Sequence, residues 1–290
     1  MSKNRGDRIL LLQKVVSKHF TPIPAPDDRT LLEHLIYACC LEDARYDAAD
    51  EAFHRLHGSF FDWNEVRVTT VTELCETLHN LPNPSAAAIR VKKNLQSIFE
   101  TRYSYDLDDL IKMNQGKAIQ ELEKLSGITR FVLNYTIQNA LGGHAIPISN
   151  SIMNIFLATE IVSENEAKSG QVPGLERTIS KSKGQQFTSC LHQLAVEAHL
   201  KPSNKAVRSI LKDAGAPEPK KPTAKPTPTP KAAEKTGARA KTTKKAAKTK
   251  SATASKSIPV KKSSKKKTSP PKSKPAKKAP VKKTTKRKPR

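Results

Sequence analysis

Aromatic and acidic residues are almost absent from the last 75 residues of this chain. From Ala216 to Arg290 there is no Phe, Trp or Tyr, and Glu218 and Glu234 are the only acids against 27 Lys and Arg. So little apolar surface cannot offset roughly 1–2 kcal/mol of backbone entropy per residue. Twelve of the twenty prolines also lie there, and each denies a helix its continuation. Independent folding is therefore excluded, and residues 216–290 are expected to form a disordered basic tail. Cysteine is scarce too. Cys39, Cys40, Cys75 and Cys190 fall in helical patterns at unrelated spacings, as buried, reduced thiols of a cytoplasmic protein do, and no metal-site spacing is present. No apolar run approaches the roughly 18–20 residues that cross a bilayer. The N-terminal Met1–Arg5 carries no signal-peptide pattern. Neither a phosphate-binding glycine loop nor a G-x-S-x-G elbow occurs.

What is present is charge of one sign in one place. The chain has 52 basic and 27 acidic residues, a net charge of +25, and the tail alone accounts for +25. Residues 1–215 are formally neutral. The runs Lys261-Lys262, Lys265-Lys266-Lys267, Lys277-Lys278, Lys282-Lys283 and Lys286-Arg287-Lys288 make the tail a flexible polycation. Its expected partner is double-stranded DNA, bound largely without regard to sequence by release of condensed counterions. A solubilising linker or an anionic-membrane anchor is the alternative use of such charge. No amphipathic helix or lipidation signal accompanies it, so no membrane partner is expected. The stretch Lys274–Lys283, KPAKKAPVKK, resembles the C-terminal tails of linker histones in composition.

Residues 1–215 show helical periodicity nearly throughout, which predicts an all-α class of many short helices. Ile9, Leu12, Val15, Val16 and Phe20 mark a first helix, stopped by the prolines of Thr21–Pro26. Leu31–Leu41 is apolar enough to be central, and a third helix is expected over about 44–56. Thr70-x-x-Glu73 is a capping box. Ser85 is expected to cap a helix over 86–99, and Thr129 one over 130–140. Gly142-Gly143 closes that helix. Further helices are expected near 151–159, 175–180, 185–200 and 205–213. A short alternation at Val66–Val71 is the best strand signal and is discounted.

The segment Leu122–Asn154, LEKLSGITRFVLNYTIQNALGGHAIPISNSIMN, resembles the helix-hairpin-helix signature of the endonuclease III-like DNA glycosylase superfamily. That signature runs roughly L-x-x-L-P-G-V-G-R-K-T-A, nine residues to F-G, then a loop to V-D-T-H. Leu125, Gly127, Ile128, Arg130 and Gly142 fill its positions. Leu32–Ile36 resembles the opening of the family's central helix, and Asn80–Lys92 its G-L-Y-N-x-K-A loop and helix. Order and lengths match over about residues 5–205. The resemblance implies a two-lobed helical fold. One lobe is residues 22–142, with the hairpin at about 119–140. The other joins 1–21 to 143–213. It also implies a DNA contact through Gly127, Thr129 and Arg130, where backbone N–H groups at a turn and helix start meet phosphate.

The sequence departs from the family at the chemistry. Where the family has its catalytic acid, this chain has Ser149; where bifunctional members have the Schiff-base lysine, it has Phe131. A hydroxyl of very high pKa is no general base without a partner, and a phenyl ring is no nucleophile. Thr129 replaces the second hairpin glycine, and its Cβ is expected to weaken phosphate anchoring. The family's base-replacing glutamine aligns near Asp43, which would face the duplex and repel it. The four-cysteine iron–sulfur loop is missing, so no cofactor is expected. Other constellations are weaker. Ser149 and His144 lack the elbow of a hydrolase. His54 and His57, with Asp50 and Glu51, read as a solvated helix face rather than a metal site. Trp63, beside Phe60-Phe61, is expected to staple a loop into the core.

Three functional readings follow. The first is a non-enzymatic DNA-binding protein, cytoplasmic and nucleoid-associated, or nuclear in a eukaryote, on a degenerate glycosylase scaffold held to DNA by its tail. The second is an active base-excision glycosylase with a shifted acid. The third is a helical scaffold that brings a repair or nucleoid protein to DNA. Oligomeric state is not legible.

Overall fold

The structure is a computed structural model in which residues 4–217 are described. They hold fourteen α-helices and no strand. The runs Lys261–Lys288 lie outside the described residues.

Helix α1 (Arg5–His19) starts at Asn4, whose side chain accepts from Asp7 N, and buries Ile9, Leu12, Val15 and Val16. Helix α2 (Leu31–Leu41) opens with a capping box between Thr30 and Glu33 and buries every residue except Glu33. A helix apolar on all sides belongs in the middle of a core. Helix α3 (Tyr46–Ser59) runs through Gly58 instead of stopping there. Helix α4 (Trp63–Val68) and helix α5 (Val71–Thr77) occupy the segment with the strand-like alternation. Asp62 caps α4 and the Thr70–Glu73 box caps α5, so local capping overrides the period-2 pattern. Trp63 opens α4, half-buried, with its ring against His57 and Phe53, whereas Phe61 is 96% exposed.

Helix α6 (Pro84–Arg102) is capped by Asn83, not Ser85. Pro84 takes the first helical position, where its missing N–H costs nothing; this moves the cap back two residues. Helices α7 (Asp109–Lys112), α8 (Gln115–Glu123), α9 (Arg130–Asn139), α10 (Asn150–Ala158), α11 (Glu164–Ser169), α12 (Leu175–Thr178), α13 (Lys181–Leu200) and α14 (Lys205–Asp213) complete the order.

The principal helix contacts fall in two groups. In one, α2 packs on α3, α6 and α9, with α4 and α5 on α6 and α8 on α9. In the other, α1 packs on α12, α13 and α14, and α10 on α11 and α13. The two groups are linked at the residues that follow α2.

Candidate functional site

Three consecutive residues after α2 each grip a different element. The Glu42 carboxylate accepts from the Thr129 hydroxyl at 2.9 Å and pairs with Arg90 of α6 at 3.2 Å. Asp43 accepts from the backbone N–H of Ser151 in the first turn of α10 at 3.2 Å. The Ala44 carbonyl bonds His192 Nε2 of α13 at 2.8 Å. The C-terminus of α2, the hairpin, α10 and α13 therefore converge on residues 42–44.

The hairpin is α8, a turn over 124–128 and α9. Leu125 N–H bonds Leu122 O, and Ile128 N–H bonds Leu125 O. Thr129 then caps α9 by accepting from Val132 N–H at 3.1 Å. Gly127 is buried against α6: a Cβ there would stand 2.6 Å from Asn94 N and 2.6 Å from Lys93 Cβ. This position thus needs glycine because a helix backbone passes beneath it. The Thr129 hydroxyl serves both the cap and Glu42, so its side chain is turned to protein. Burial pushes the Glu42 carboxyl above the usual range, against the pull of Arg90 and the Thr129 hydroxyl. Arg130 is exposed, and its guanidinium donates to the Gly170 carbonyl.

Neither Phe131 nor Ser149 is offered to a ligand. Phe131 is 1% exposed and packs between the rings of Tyr135 and His192, with centroids at 6.2 and 5.6 Å. Ser149 is 3% exposed, and its hydroxyl accepts from Ile152 N–H as the cap of α10. The expectation that Asp43 points at the duplex is corrected: its carboxylate turns back onto the α10 N-terminus. The backbone of Asp43 is left-handed, with φ 61°, a conformation that Asp tolerates better than most side chains. A carboxylate is therefore present two residues beyond Ser149, supplied from a different element.

Sequence reasoning missed Glu42, Arg90 and His192. Glu42 carries a readable signal, a charge directly after an all-apolar helix. His192 looks like any lone histidine on an apolar face. It is fully buried, held well below its ordinary pKa at about 4 by burial, with its Nδ1 unpartnered. Nearby, Tyr46, Tyr135, Gln138, Asn139, Gln185 and Ser189 line a cavity of about 350 Å³. His54 and His57 do not meet: His54 Nδ1 bonds Asp50 O, and His57 faces Glu33 at 3.5 Å. Among the described residues no cluster of His, Cys, Asp or Glu is placed to hold a metal, and no helix is long and apolar enough to cross a membrane.

An all-helical chain with a helix-hairpin-helix docked on a buried central helix, and a second helical group closing over it, defines the endonuclease III-like fold. A solved structure agrees. A non-covalent endonuclease III–DNA complex superposes with a TM-score of 0.51 at 12% identity, over 73% of this chain and 97% of that one. A trapped endonuclease III–DNA covalent intermediate gives 0.49 at 14%, over 70% and 90%. A thermostable thymine-DNA glycosylase gives 0.47 at 12%, over 66% and 85%. No protein-family model matches the sequence, and no curated protein matches it.

Proposed function

We propose that this protein is a non-enzymatic DNA-binding protein, an endonuclease III-like scaffold held on duplex DNA mainly by the cationic residues 216–290. One observation carries the reading. The two positions where the fold's glycosylases place reactive groups are taken by a buried phenyl ring and by a hydroxyl engaged as a helix cap. The +25 charge outside the neutral scaffold supports the same reading, as does the DNA bound by the endonuclease III of similar fold. The scaffold contributes a weak duplex contact at Gly127, Thr129 and Arg130, or a surface for a repair or nucleoid protein, and it uses no cofactor. A salt titration of binding to duplex DNA tests this. The full chain should lose affinity steeply with salt, and residues 1–215 should bind far more weakly. Equal affinity of the two would refute a tail-led attachment.

A second reading is favoured by Asp43 alone. Its carboxylate at the α10 N-terminus is the shifted acid that a monofunctional glycosylase would need. Incubation with duplexes carrying oxidised, alkylated or deaminated bases separates the two. Base release abolished by Asp43→Asn would favour the enzyme; no release from any duplex favours the binding protein.

A further inference from the structure

Several cations of the folded part are held by protein partners. Beside the hairpin, Lys124 pairs with Glu121 at 2.7 Å, Arg90 pairs with Glu42, and Arg130 donates to Gly170 O. Lys93 and, on α8, Lys117 are exposed on that side and take part in none of the ion pairs. The last helix gathers its cations along one face. Asn204 caps α14 by accepting from Ala206 N–H, and Val207, Ile210 and Ala214 are buried, with Leu211 half-buried. At about 100° per residue, Lys205, Arg208 and Lys212 fall within an arc of about 60° on the opposite side. All three are exposed. The acid of this helix, Asp213, lies outside that arc.

Neighbouring segments extend the stripe. Arg208 Nε donates to Pro202 O at 3.3 Å, which sets its guanidinium beside the loop carrying exposed Lys201. On α1, Leu11 faces Gly215 just beyond α14: a Cβ on that glycine would stand 3.7 Å from Leu11 Cδ2. Lys14 and Lys18, three and seven residues after Leu11, are exposed on that side of α1. Among the described residues, Lys14, Lys18, Lys201, Lys205 and Arg208 take part in none of the ion pairs. Residues 216–290, which carry +25, begin three residues after α14 in the sequence.

We propose that the stripe of α14, with Lys201 and the Lys14–Lys18 side of α1, is a second contact surface for the phosphate backbone of duplex DNA, distinct from the hairpin. The inference rests on the DNA-binding reading above and adds where the scaffold itself meets the polyanion. From Lys205 to Lys212 the helix rises about 10 Å. Duplex DNA presents about one charge per 1.7 Å of axis. A stripe of that length therefore faces several phosphates at once and reads none of the bases.

Lysine acylation of the full chain, with and without a random-sequence duplex, tests the surface when followed by mass spectrometry. Lys201, Lys205, Lys14 and Lys18 should be protected by the duplex and released by high salt, while exposed Lys112 on α7 stays reactive. The triple variant Lys201→Gln/Lys205→Gln/Arg208→Gln should keep its helical circular dichroism. Its log K against log salt should be shallower than that of the unaltered chain by about 2–3, at about 0.9 per phosphate contact. The inference fails alone if these lysines react like Lys112 while the tail lysines and Lys93 are protected. If no lysine is protected anywhere in the chain, the DNA-binding reading fails and this surface with it.

Discussion

Phe131 and His192 decide what the centre of the molecule can do. Both are fully enclosed and in contact, and Ala44 O holds the imidazole. Phe131→Ala should cost about 3–5 kcal/mol through the cavity it leaves, measured as a loss in urea midpoint. Phe131→Lys should destabilise at least as much, because the ammonium would be buried without a partner. Borohydride should trap no covalent DNA adduct with it; an adduct would show that the site still positions a nucleophile. His192 also gives the fold a pH dependence. Its imidazole stays neutral when folded, down to about pH 4, and takes a proton when unfolded below about 6.5. Between those values the unfolded state binds more protons, so stability falls as the medium is acidified through that window, by roughly 3 kcal/mol for this group. His34, lowered first by burial and then by Arg29, acts in the same direction. Unfolding curves of the unaltered protein and of His192→Gln, taken from pH 7 to 4.5, check this. The variant should show the shallower decline.

Among the elements, the hairpin turn is the least tolerant of change. A Cβ at Gly127 meets backbone of α6 at 2.6 Å, where no side chain can swing away. Gly127→Ala should therefore lower the unfolding free energy by about 2 kcal/mol or more through a forced backbone shift. Thr129→Val removes a cap and a carboxylate partner together and should cost about 1–2 kcal/mol. Thermal unfolding of both variants reads these effects. The elements also show what was legible in advance. Helices α2 and α14 were read to the residue, α2 from its unbroken apolar run. The Thr129 cap and the Thr70–Glu73 box were equally plain. Short helices α4, α7 and α11 were not, since four to six residues carry no usable period and are fixed by packing. The pairing of α8 and α9 as a hairpin was legible from spacing. The turning of Asp43 and Thr129 toward protein was not, because it depends on pairings such as Glu42–Thr129, 87 residues apart.

At the scale of the whole molecule, charge and shape belong to different stretches of sequence. A neutral fold lacks the long-range field that draws a protein to DNA, and a segment of +25 supplies it. Association rates with duplex DNA should accordingly drop with added salt for the full chain and stay nearly flat for residues 1–215, as stopped-flow measurements would read. The joint at residues 42–44 bears on motion rather than on charge. It rivets the hairpin, α10 and α13 to the end of α2 through three adjacent residues. Swinging one helical group against the other would break the Asp43–Ser151 and Ala44–His192 links together. Opening of this joint should therefore require unfolding of most of the molecule. The Ser151 amide, locked to Asp43, should exchange its hydrogen about as slowly as the centre of α2. On the proposed function, a scaffold fastened in this way would meet DNA as a rigid body, and any bending needed to fit the two together would fall to the duplex.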